Sequence, residues 1–493
     1  MRDESSHNPL AAMLAHQNCI ISDGGMGTLL EAYIGAPLDS KLWSAGCLRT
    51  HPSAIKAVHR QYFEAGADIA TAATYQASLE GFMSSAGVRV TRAQAEDLIR
   101  KGVALAIEAR DEFWAAYSRE EAGKRKTEEA GGGTRQRPLV AASVGCYGAA
   151  QADGSEYRGA YGLTVEEVSR EIVPALDVLL PSRTSSPCMR PHAPFCSSPC
   201  MRPHVPLLQL TLYASSCPLL QLTLYASSCP LLQLTLYASS CPLLQLTLYA
   251  SSCPLLQLTL YASSCPLLQL TLYASSCPNL QLTLYASSCP LLQLMDWHRP
   301  RLAILGETDA DLLAFETIPC QAEVVAILQL LREGREQEGS APTSRRTPCW
   351  ITLACQDATH LNSGESLVSC VQLVKALDTG SRPQVVGLGV NCCAPQHVEG
   401  ALTVLREGLL TISAAKEVIS AAKGSERILI AYPNSGEVWQ DKRWLPGTGV
   451  CPSSRDFADL ARKWVVAGAR VLGGCCRTTP ETIKALRACL LAK

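Results

Sequence analysis

Eight short runs of apolar or β-branched residues recur along the chain, most of them with Gly, Pro, Asn or small polar residues at or near their ends. The runs are CIISDGG (19–25), ADIATAATY (67–75), PLVAASVG (138–145), DLLAFETIP (311–319), CWITLACQ (349–356), QVVGLGVNC (384–392), RILIAYPNS (427–435) and ARVLGGCC (469–476). Stretches with the period of an amphipathic helix lie between them. This alternation predicts a parallel α/β fold. We expect a closed TIM (β/α)8 barrel, with an open doubly wound sheet as the alternative.

A twelve-residue unit, LLQLTLYASSCP, occurs seven times between residues 207 and 290, with one substitution at Asn279. We predict that the low-complexity stretch 181–294 is a disordered insertion produced by a recent DNA repeat expansion or a retained non-coding segment. A solenoid of stacked units is the alternative, although such units normally diverge and carry capping ends. The insertion would divide the barrel into 1–180, with the first three strands, and 295–493, with the other five.

A second, milder insertion is expected at 118–138, where the chain is polar, Gly-rich and of mixed charge. This composition predicts an exposed flexible loop.

Composition narrows the range of functions. Lys and Arg (43) nearly balance Asp and Glu (44), so the chain lacks the basic surface that binding to nucleic acid or to an anionic membrane requires. No run of 18 apolar residues predicts a membrane span. The 23 cysteines could suit a secreted disulfide protein, but the first twenty residues lack a signal-peptide pattern. We therefore expect a cytoplasmic protein acting on small molecules.

Polar and cysteine residues concentrate at the carboxyl ends of the predicted strands. They are Asp23, Glu316, Asn391, Cys392, Asn434, Cys475 and Cys476. In a parallel barrel this end carries the active site. We therefore include Asn391, which immediately precedes Cys392, among the candidate substrate-binding residues.

Three of the cysteines form a candidate zinc site. Thiolates are soft ligands, and three protein ligands would leave one tetrahedral position for substrate. The adjacent Cys475 and Cys476 can reach one ion with Cys392 only if the chain turns, which Gly473 and Gly474 facilitate. Small buried residues or a redox-active vicinal pair are the alternatives on spacing alone.

The two carboxylates suggest an amino-acid substrate. Asp23 and Glu316 could bind its ammonium group, while backbone N–H groups of Gly24 and Gly25 could bind its carboxylate. The alternatives are that Asp23 caps a turn and that Glu316 pairs with a buried cation.

Six motifs occur in a specific order: DGGMGT (23–28), ADGSEYRGAYG (152–162), LLAFETIP (312–319), GVNC (389–392), YPNSGEVW (432–439) and GGCCRTTPETI (473–483). With them the chain resembles the zinc-dependent homocysteine S-methyltransferases over about 19–180 and 295–493. The resemblance implies a barrel in which Cys392, Cys475 and Cys476 hold Zn2+, with Asp23 and Glu316 near the amino group of homocysteine.

The same resemblance implies an activity. The chain is expected to transfer a methyl group from S-methylmethionine, or from S-adenosylmethionine, to the homocysteine thiol; the ADGSEY motif resembles the branch that does not use betaine. CYGAA (146–150) and Cys393 depart from the family pattern near the site. A selenocysteine methyltransferase and an inactive scaffold barrel remain alternatives. The sequence predicts no oligomeric state.

Overall fold

The structure, a computed structural model, describes residues 8–38, 40–84, 90–126, 135–159, 161, 290–337, 347–379, 383–410, 427–440, 443–445 and 447–491, and seven strands between 208 and 285. The chain divides into two compact units. One comprises Met1–Tyr161 and Leu294–Lys493, and the other is Gly162–Gln293. All eight predicted strand regions belong to the first unit.

Eight parallel strands form the sheet of the first unit. They are β1 (Ile20–Ile21), β2 (Ile69–Thr71), β3 (Leu139–Gly145), β4 (Leu312–Ile318), β5 (Cys349–Leu353), β6 (Val385–Asn391), β7 (Ile428–Tyr432) and β8 (Ala469–Leu472). Each strand from β2 to β7 pairs with the next, β8 pairs with β1, and a parallel bridge between Ser22 and Ile69 joins β1 to β2. The sheet closes on itself, which confirms the predicted barrel and rejects the open sheet.

Helices separate the strands. The described α-helices are Pro9–Leu14, Met26–Ile34, Cys47–Thr50, Pro52–Ala65, Leu79–Met83, Arg92–Lys126, Tyr147–Gln151, Ser155–Arg158, Pro290–Gly306, Gln321–Gln337, Leu367–Leu377, Pro395–Leu410, Ser454–Ala467 and Pro480–Leu491. A 3-10 helix spans Trp43–Gly46, and a short hairpin pairs Val438–Gln440 with Arg443–Leu445. Among the described residues, no helix is both long and apolar enough to cross a bilayer.

The barrel interior is an apolar core to which every strand contributes. Its members include Ile20, Ile69, Ala141, Leu312, Trp350, Val386, Ile430 and Val471. Leu10 and Met13, from the helix Pro9–Leu14, belong to the same cluster. The strands are buried on both faces, as β4 and β6 illustrate, which is why they occur in the sequence as nearly continuous apolar runs.

The prediction of a flexible loop at 118–138 is wrong for its first nine residues, 118–126. The helix Arg92–Lys126 continues through them, because Glu, Ala, Lys and Arg are strong helix formers even where no apolar stripe marks a buried face. Residues 127–134 lie outside the described part of the chain. Arg135 is not exposed either: its guanidinium donates to the carbonyl of Phe63 at 2.9 Å and lies 3.4 Å from a carboxylate oxygen of Asp68.

The repeats of the second unit form strands, which differs from the predicted disorder of 181–294. The strands are Leu208–Ala214, Leu219–Ala226, Leu231–Ala238, Leu243–Ala250, Leu255–Ala262, Leu267–Ala274 and Asn279–Tyr285. Each pairs in parallel with the second strand along the chain, so that four strands form one sheet and three form another. This connectivity resembles the solenoid alternative. The alternating LxLxL pattern favours strands, and each of the first six repeats ends in a Pro that directly precedes the next strand in the sequence.

The helix Pro290–Gly306 begins inside the last repeat. Leu294 and Met295, in its second turn, are 1% and 4% exposed. The end of the repetitive sequence therefore does not coincide with the start of the barrel helix.

Candidate metal and substrate site

The three candidate metal ligands lie together at the carboxyl end of the barrel. Cys392 directly follows β6, and Cys475 and Cys476 come shortly after β8. Their Sγ atoms are all within 4.8 Å of one another. The structure joins Cys392 and Cys475 by a disulfide bond, and the Sγ atoms of Cys475 and Cys476 are 4.0 Å apart.

Backbone geometry makes this convergence possible. Cys392 has a φ of 48°, in the left-handed region, so the chain turns sharply as it leaves β6. After β8, a Cβ on Gly473 would lie 2.7 Å from the Cβ of Ser22, and a Cβ on Gly474 would lie 2.2 Å from the Oγ1 of Thr478. Both glycines are therefore required by the close approach of neighbouring segments, and not only for the turn predicted from the sequence.

The donor set fits a zinc ion. A Zn–S bond of about 2.3 Å places the sulfurs of a tetrahedral site about 3.8 Å apart. The 4.0 Å between the sulfurs of Cys475 and Cys476 is close to that spacing. Zinc binding would require Cys392 and Cys475 to be reduced rather than joined in a disulfide, because cysteine binds zinc as the thiolate. Three protein ligands would leave a fourth position for a substrate atom.

The neighbours of the cluster distinguish Cys476 from Cys393. The hydroxyl of Tyr157 hydrogen-bonds to the thiol of Cys476. Burial raises the pKa of Cys476 to about 11, and the bond from Tyr157 opposes this rise. Cys393 is 3% exposed and hydrogen-bonds to Cys355 instead. Its side chain therefore faces away from the cluster.

Asp23 is buried where β1 ends, and its partners are neutral. Its carboxylate accepts a hydrogen bond from the N–H of Thr71 at 2.8 Å and from the Thr71 hydroxyl at 3.0 Å, and Ser22 donates from 3.3 Å. Burial, together with the smaller effect of the nearby charge of Glu316, raises the pKa of Asp23 to about 7 against the opposing hydrogen bonds from Thr71 and Ser22. The alternative reading of Asp23 as a simple turn cap does not describe these contacts.

Glu316 is the matching carboxylate on β4. Ser143, on the neighbouring β3, donates a short hydrogen bond to its Oε1, and Tyr432 is a second hydroxyl partner. Burial raises the pKa of Glu316 to about 7 despite these two bonds. Tyr432 is itself fixed by Thr352, whose hydroxyl lies 2.7 Å from that of the tyrosine. No cation balances Glu316 among the described residues, contrary to the buried-pair alternative.

The side chain of Asn391 is buried at the site and hydrogen-bonded to another residue of the protein. The side chain is 1% exposed, and both its Oδ1 and its Nδ2 are bonded to Thr317, the residue after Glu316. These contacts join the ends of β4 and β6, and the predicted substrate-binding role of Asn391 stays a prediction.

The N–H of Gly25, predicted to bind a substrate carboxylate, donates within the protein in this structure. Its N–H donates to the carbonyl and the hydroxyl oxygen of Thr478, each at 3.2 Å. A Cβ here would lie 2.7 Å from the carbonyl oxygen of Cys475, and a Cβ on Gly24 would lie 2.9 Å from the ring of Tyr62. Both residues are glycine because the chain segments are in close contact. The role of the Gly24 N–H stays a prediction.

Four contributors were missed by the sequence analysis: Thr71, Ser143, Tyr432 and Tyr157. The first three are polar residues inside otherwise apolar strand regions, and that anomaly was the available signal. Tyr157 stands in the ADGSEY motif, which indicated the methyl-donor branch but assigned no role to the tyrosine itself.

Comparison with known proteins matches this geometry to a family. The sequence profile of "Homocysteine S-methyltransferase" matches residues 20–184 and 262–490. Homocysteine S-methyltransferase 1 of Zea mays is 32% identical to this chain, over 95% of this chain and 93% of the maize protein. Selenocysteine Se-methyltransferase of Brassica oleracea var. italica is 29% identical, over 96% and 89% respectively.

Solved structures agree. The metallated form of the homocysteine methyltransferase MmuM from Escherichia coli is 28% identical to this chain and superposes with a TM-score of 0.53. The match covers 98% of this chain and 99% of that structure. An oxidized form of the same protein has the same identity and TM-score.

Proposed function

Because the chain belongs to the homocysteine S-methyltransferase family, we propose that it transfers a methyl group from a sulfonium donor, S-methylmethionine, to the sulfur of homocysteine. Family membership makes it a methyltransferase. The observation that carries the specific proposal is the convergence of three cysteine sulfurs within 4.8 Å at the barrel end that also holds two buried carboxylates.

Cys392, Cys475 and Cys476 are the residues that would hold zinc. When bound, zinc supplies a positive charge that lowers the pKa of the homocysteine thiol, so that the nucleophilic thiolate exists at neutral pH. Three cysteinates keep this centre electron-rich. The metallated relative from Escherichia coli supports a metal-dependent reaction, and the soft donor set supports zinc.

Asp23 and Glu316 would hold the ammonium group of homocysteine. Their hydrogen-bond partners, Thr71, Ser22, Ser143 and Tyr432, are neutral, so the two buried carboxylates lack a balancing cation among the described residues. A bound ammonium group supplies that charge and orients the homocysteine sulfur toward the cysteines.

Methyl transfer then needs no general base at carbon. The homocysteine sulfur attacks the methyl carbon in line with the donor sulfur, a new S–C bond forms, and the old S–C bond breaks. Its electron pair returns to the donor sulfur, which becomes a neutral thioether, and homocysteine becomes methionine. Holding the two substrates in this alignment contributes much of the acceleration.

The experiment is a methyl-transfer assay combined with metal analysis. Wild type should bind one zinc per chain and methylate homocysteine from S-methylmethionine faster than from S-adenosylmethionine or betaine. Cys475→Ala should lose both zinc and turnover, while Cys393→Ser, the matched control, should keep both because that thiol faces Cys355.

Two outcomes would contradict the proposal. Full turnover by Cys475→Ala, with stoichiometric zinc, would remove the metal site. Wild-type protein that holds zinc but methylates selenocysteine and not homocysteine would favour the activity named for the Brassica relative.

A further inference from the structure

Glu323 is a buried carboxylate, 0% exposed, that belongs to neither the proposed metal site nor the proposed ammonium site. It lies in the first turn of the helix Gln321–Gln337, which follows β4. Its Oε1 accepts from the Tyr147 N–H at 2.6 Å and lies 2.7 Å from the Nε2 of His298. Its Oε2 accepts from the Tyr161 hydroxyl at 2.6 Å. Three short contacts to one carboxylate offset the cost of removing its charge from water.

The three partners of Glu323 come from different parts of the chain. Tyr147 stands just beyond the end of β3, and Tyr161 is the last residue of the first unit before the chain enters the second. His298 lies on the helix by which the chain returns to the first unit. Glu323 therefore contacts both the point where the chain leaves the barrel unit and the helix by which it returns.

The residues 147–159 that follow β3, here called the 147–159 segment, are closely packed. A Cβ on Gly148 would lie 2.7 Å from the backbone nitrogen of Glu156, so the two short helices of the segment are in close contact. Asn362, which follows β5, donates to the carbonyl of Glu156 at 2.9 Å. This bond holds the segment near its second helix, and the contacts of Glu323 hold the chain at its two ends.

We propose that Glu323 is a positioning residue for the proposed methyl transfer, and that it acts by holding the 147–159 segment at the carboxyl end of the barrel. This segment carries Tyr157, whose hydroxyl bonds to the thiol of Cys476. Loss of the contacts at its ends would let the segment, and Tyr157 with it, move away from a proposed zinc ligand. The effect on turnover rests on the proposed function, whereas the effect on the segment rests on the contacts of Glu323 alone.

The first test separates the geometry of Glu323 from its charge. Glu323→Ala removes all three contacts and should lower kcat/KM for homocysteine by about tenfold or more, with zinc content unchanged. Glu323→Gln keeps an oxygen for the Tyr147 N–H and an amide group for the Tyr161 hydroxyl, so it should retain about a third or more of the wild-type kcat/KM. Glu333→Ala is the matched control and should change nothing, because it removes a partly exposed carboxylate from the same helix.

The second test needs no turnover. Hydrogen exchange followed by mass spectrometry measures how often the 147–159 segment opens. Glu323→Ala should speed exchange in peptides from this segment severalfold or more and leave exchange in β4 unchanged, since that strand belongs to the barrel core. Tyr161→Phe removes one hydroxyl, keeps the ring and should speed exchange in the same peptides to a smaller extent. It covers the case in which Glu323→Ala does not fold.

Two results would overturn the positioning role. One is wild-type exchange of the 147–159 segment in both Glu323→Ala and Tyr161→Phe. The other is a loss of kcat/KM in Glu323→Gln as large as that in Glu323→Ala, which would assign the effect to the charge. The exchange measurement remains decisive even if the wild type fails to methylate homocysteine, a result that would overturn the proposed function alone.

Discussion

The side-chain amide of Asn391 holds Thr317 at two points. Its Oδ1 accepts from the Thr317 N–H at 2.7 Å, and its Nδ2 donates to the Thr317 hydroxyl at 2.8 Å. Thr317 follows Glu316, and Cys392 follows Asn391. Thr317 and Cys392 both have positive φ, at 61° and 48°. This contact joins a proposed substrate carboxylate to a proposed metal ligand and stabilises two strained residues at once.

Asn391→Ala should therefore lower the free energy of unfolding by about 1–3 kcal/mol, because it leaves a buried N–H and hydroxyl without partners. It should also reduce kcat/KM for homocysteine. Urea denaturation and initial rates measure the two effects. Thr317→Ser keeps both bonded groups and serves as the control. Unfolding of Asn391→Ala at the wild-type urea concentration would show that the contact does not stabilise the site.

Removal of either substrate carboxylate should affect homocysteine and spare the metal. Glu316→Gln and Asp23→Asn each remove a negative charge proposed to face the ammonium group, and neither touches a cysteine. We expect at least a tenfold weaker homocysteine affinity with unchanged zinc content, measured by calorimetry and metal analysis. Glu80→Gln, an exposed substitution, is the control. Wild-type affinity in both variants would assign these carboxylates to folding instead.

The same two groups should make stability depend on pH. Burial raises the pKa of Asp23 and Glu316 to about 7, whereas carboxyls in an unfolded chain titrate near 4. Between about pH 4 and 7 the folded protein therefore binds more protons than the unfolded chain. Its free energy of unfolding should fall as the pH rises through this window when no substrate is present. Urea denaturation at several pH values should show a shallower fall for Glu316→Gln; an identical slope would contradict this attribution.

Zinc uptake should require reduced thiols. Cys392 and Cys475 can form a disulfide, and a disulfide removes two of the three proposed ligands. Protein treated with a phosphine reductant should bind about one zinc per chain, and protein oxidised beforehand should bind almost none until it is reduced. Thiol titration and metal analysis follow the two states. Stoichiometric zinc in the oxidised protein would show that other residues hold the ion.

Deleting residues 181–289 should leave an active enzyme. The deletion removes the repeat strands but keeps all eight barrel strands, every proposed site residue and the helix that begins at Pro290. A deletion extended to residue 294 also removes buried Leu291 and Leu294 and should melt at a lower temperature. Loss of activity in the shorter deletion, at wild-type zinc content, would make the repeats a functional part of the enzyme.

Much of the barrel and the metal site could be predicted from local pattern. Parallel strands place their carboxyl ends at one rim, so the runs that end in Cys392 and in Cys475 and Cys476 predicted neighbouring thiols. The helix that continues to Lys126 was missed because a polar segment is compatible with both a loop and an exposed helix. The repeat strands differ from the predicted disorder because low sequence complexity does not prevent pairing where the repeated unit itself alternates in a strand pattern.

The hydrogen-bond partners could not be predicted in the same way. Gly25 and Thr478 are bonded across 453 residues, and the contact depends on how side chains pack after the barrel closes. No local sequence pattern indicates that the Gly25 N–H already donates a hydrogen bond to Thr478. The same holds for Tyr157 and Cys476, which come from distant segments that meet only at the barrel rim.

The first and last strands of the barrel, β1 and β8, pair with each other. The proposed metal site can therefore be completed only late in synthesis. A ribosome that has translated as far as residue 460 has already made Asp23, Glu316 and Cys392 but has not made β8. Two of the three thiols do not yet exist at that stage, however well the earlier strands have folded. Prematurely terminated products therefore lack a complete ligand set. A molecule that holds zinc with all three cysteines must therefore have been translated through β8, the final barrel strand.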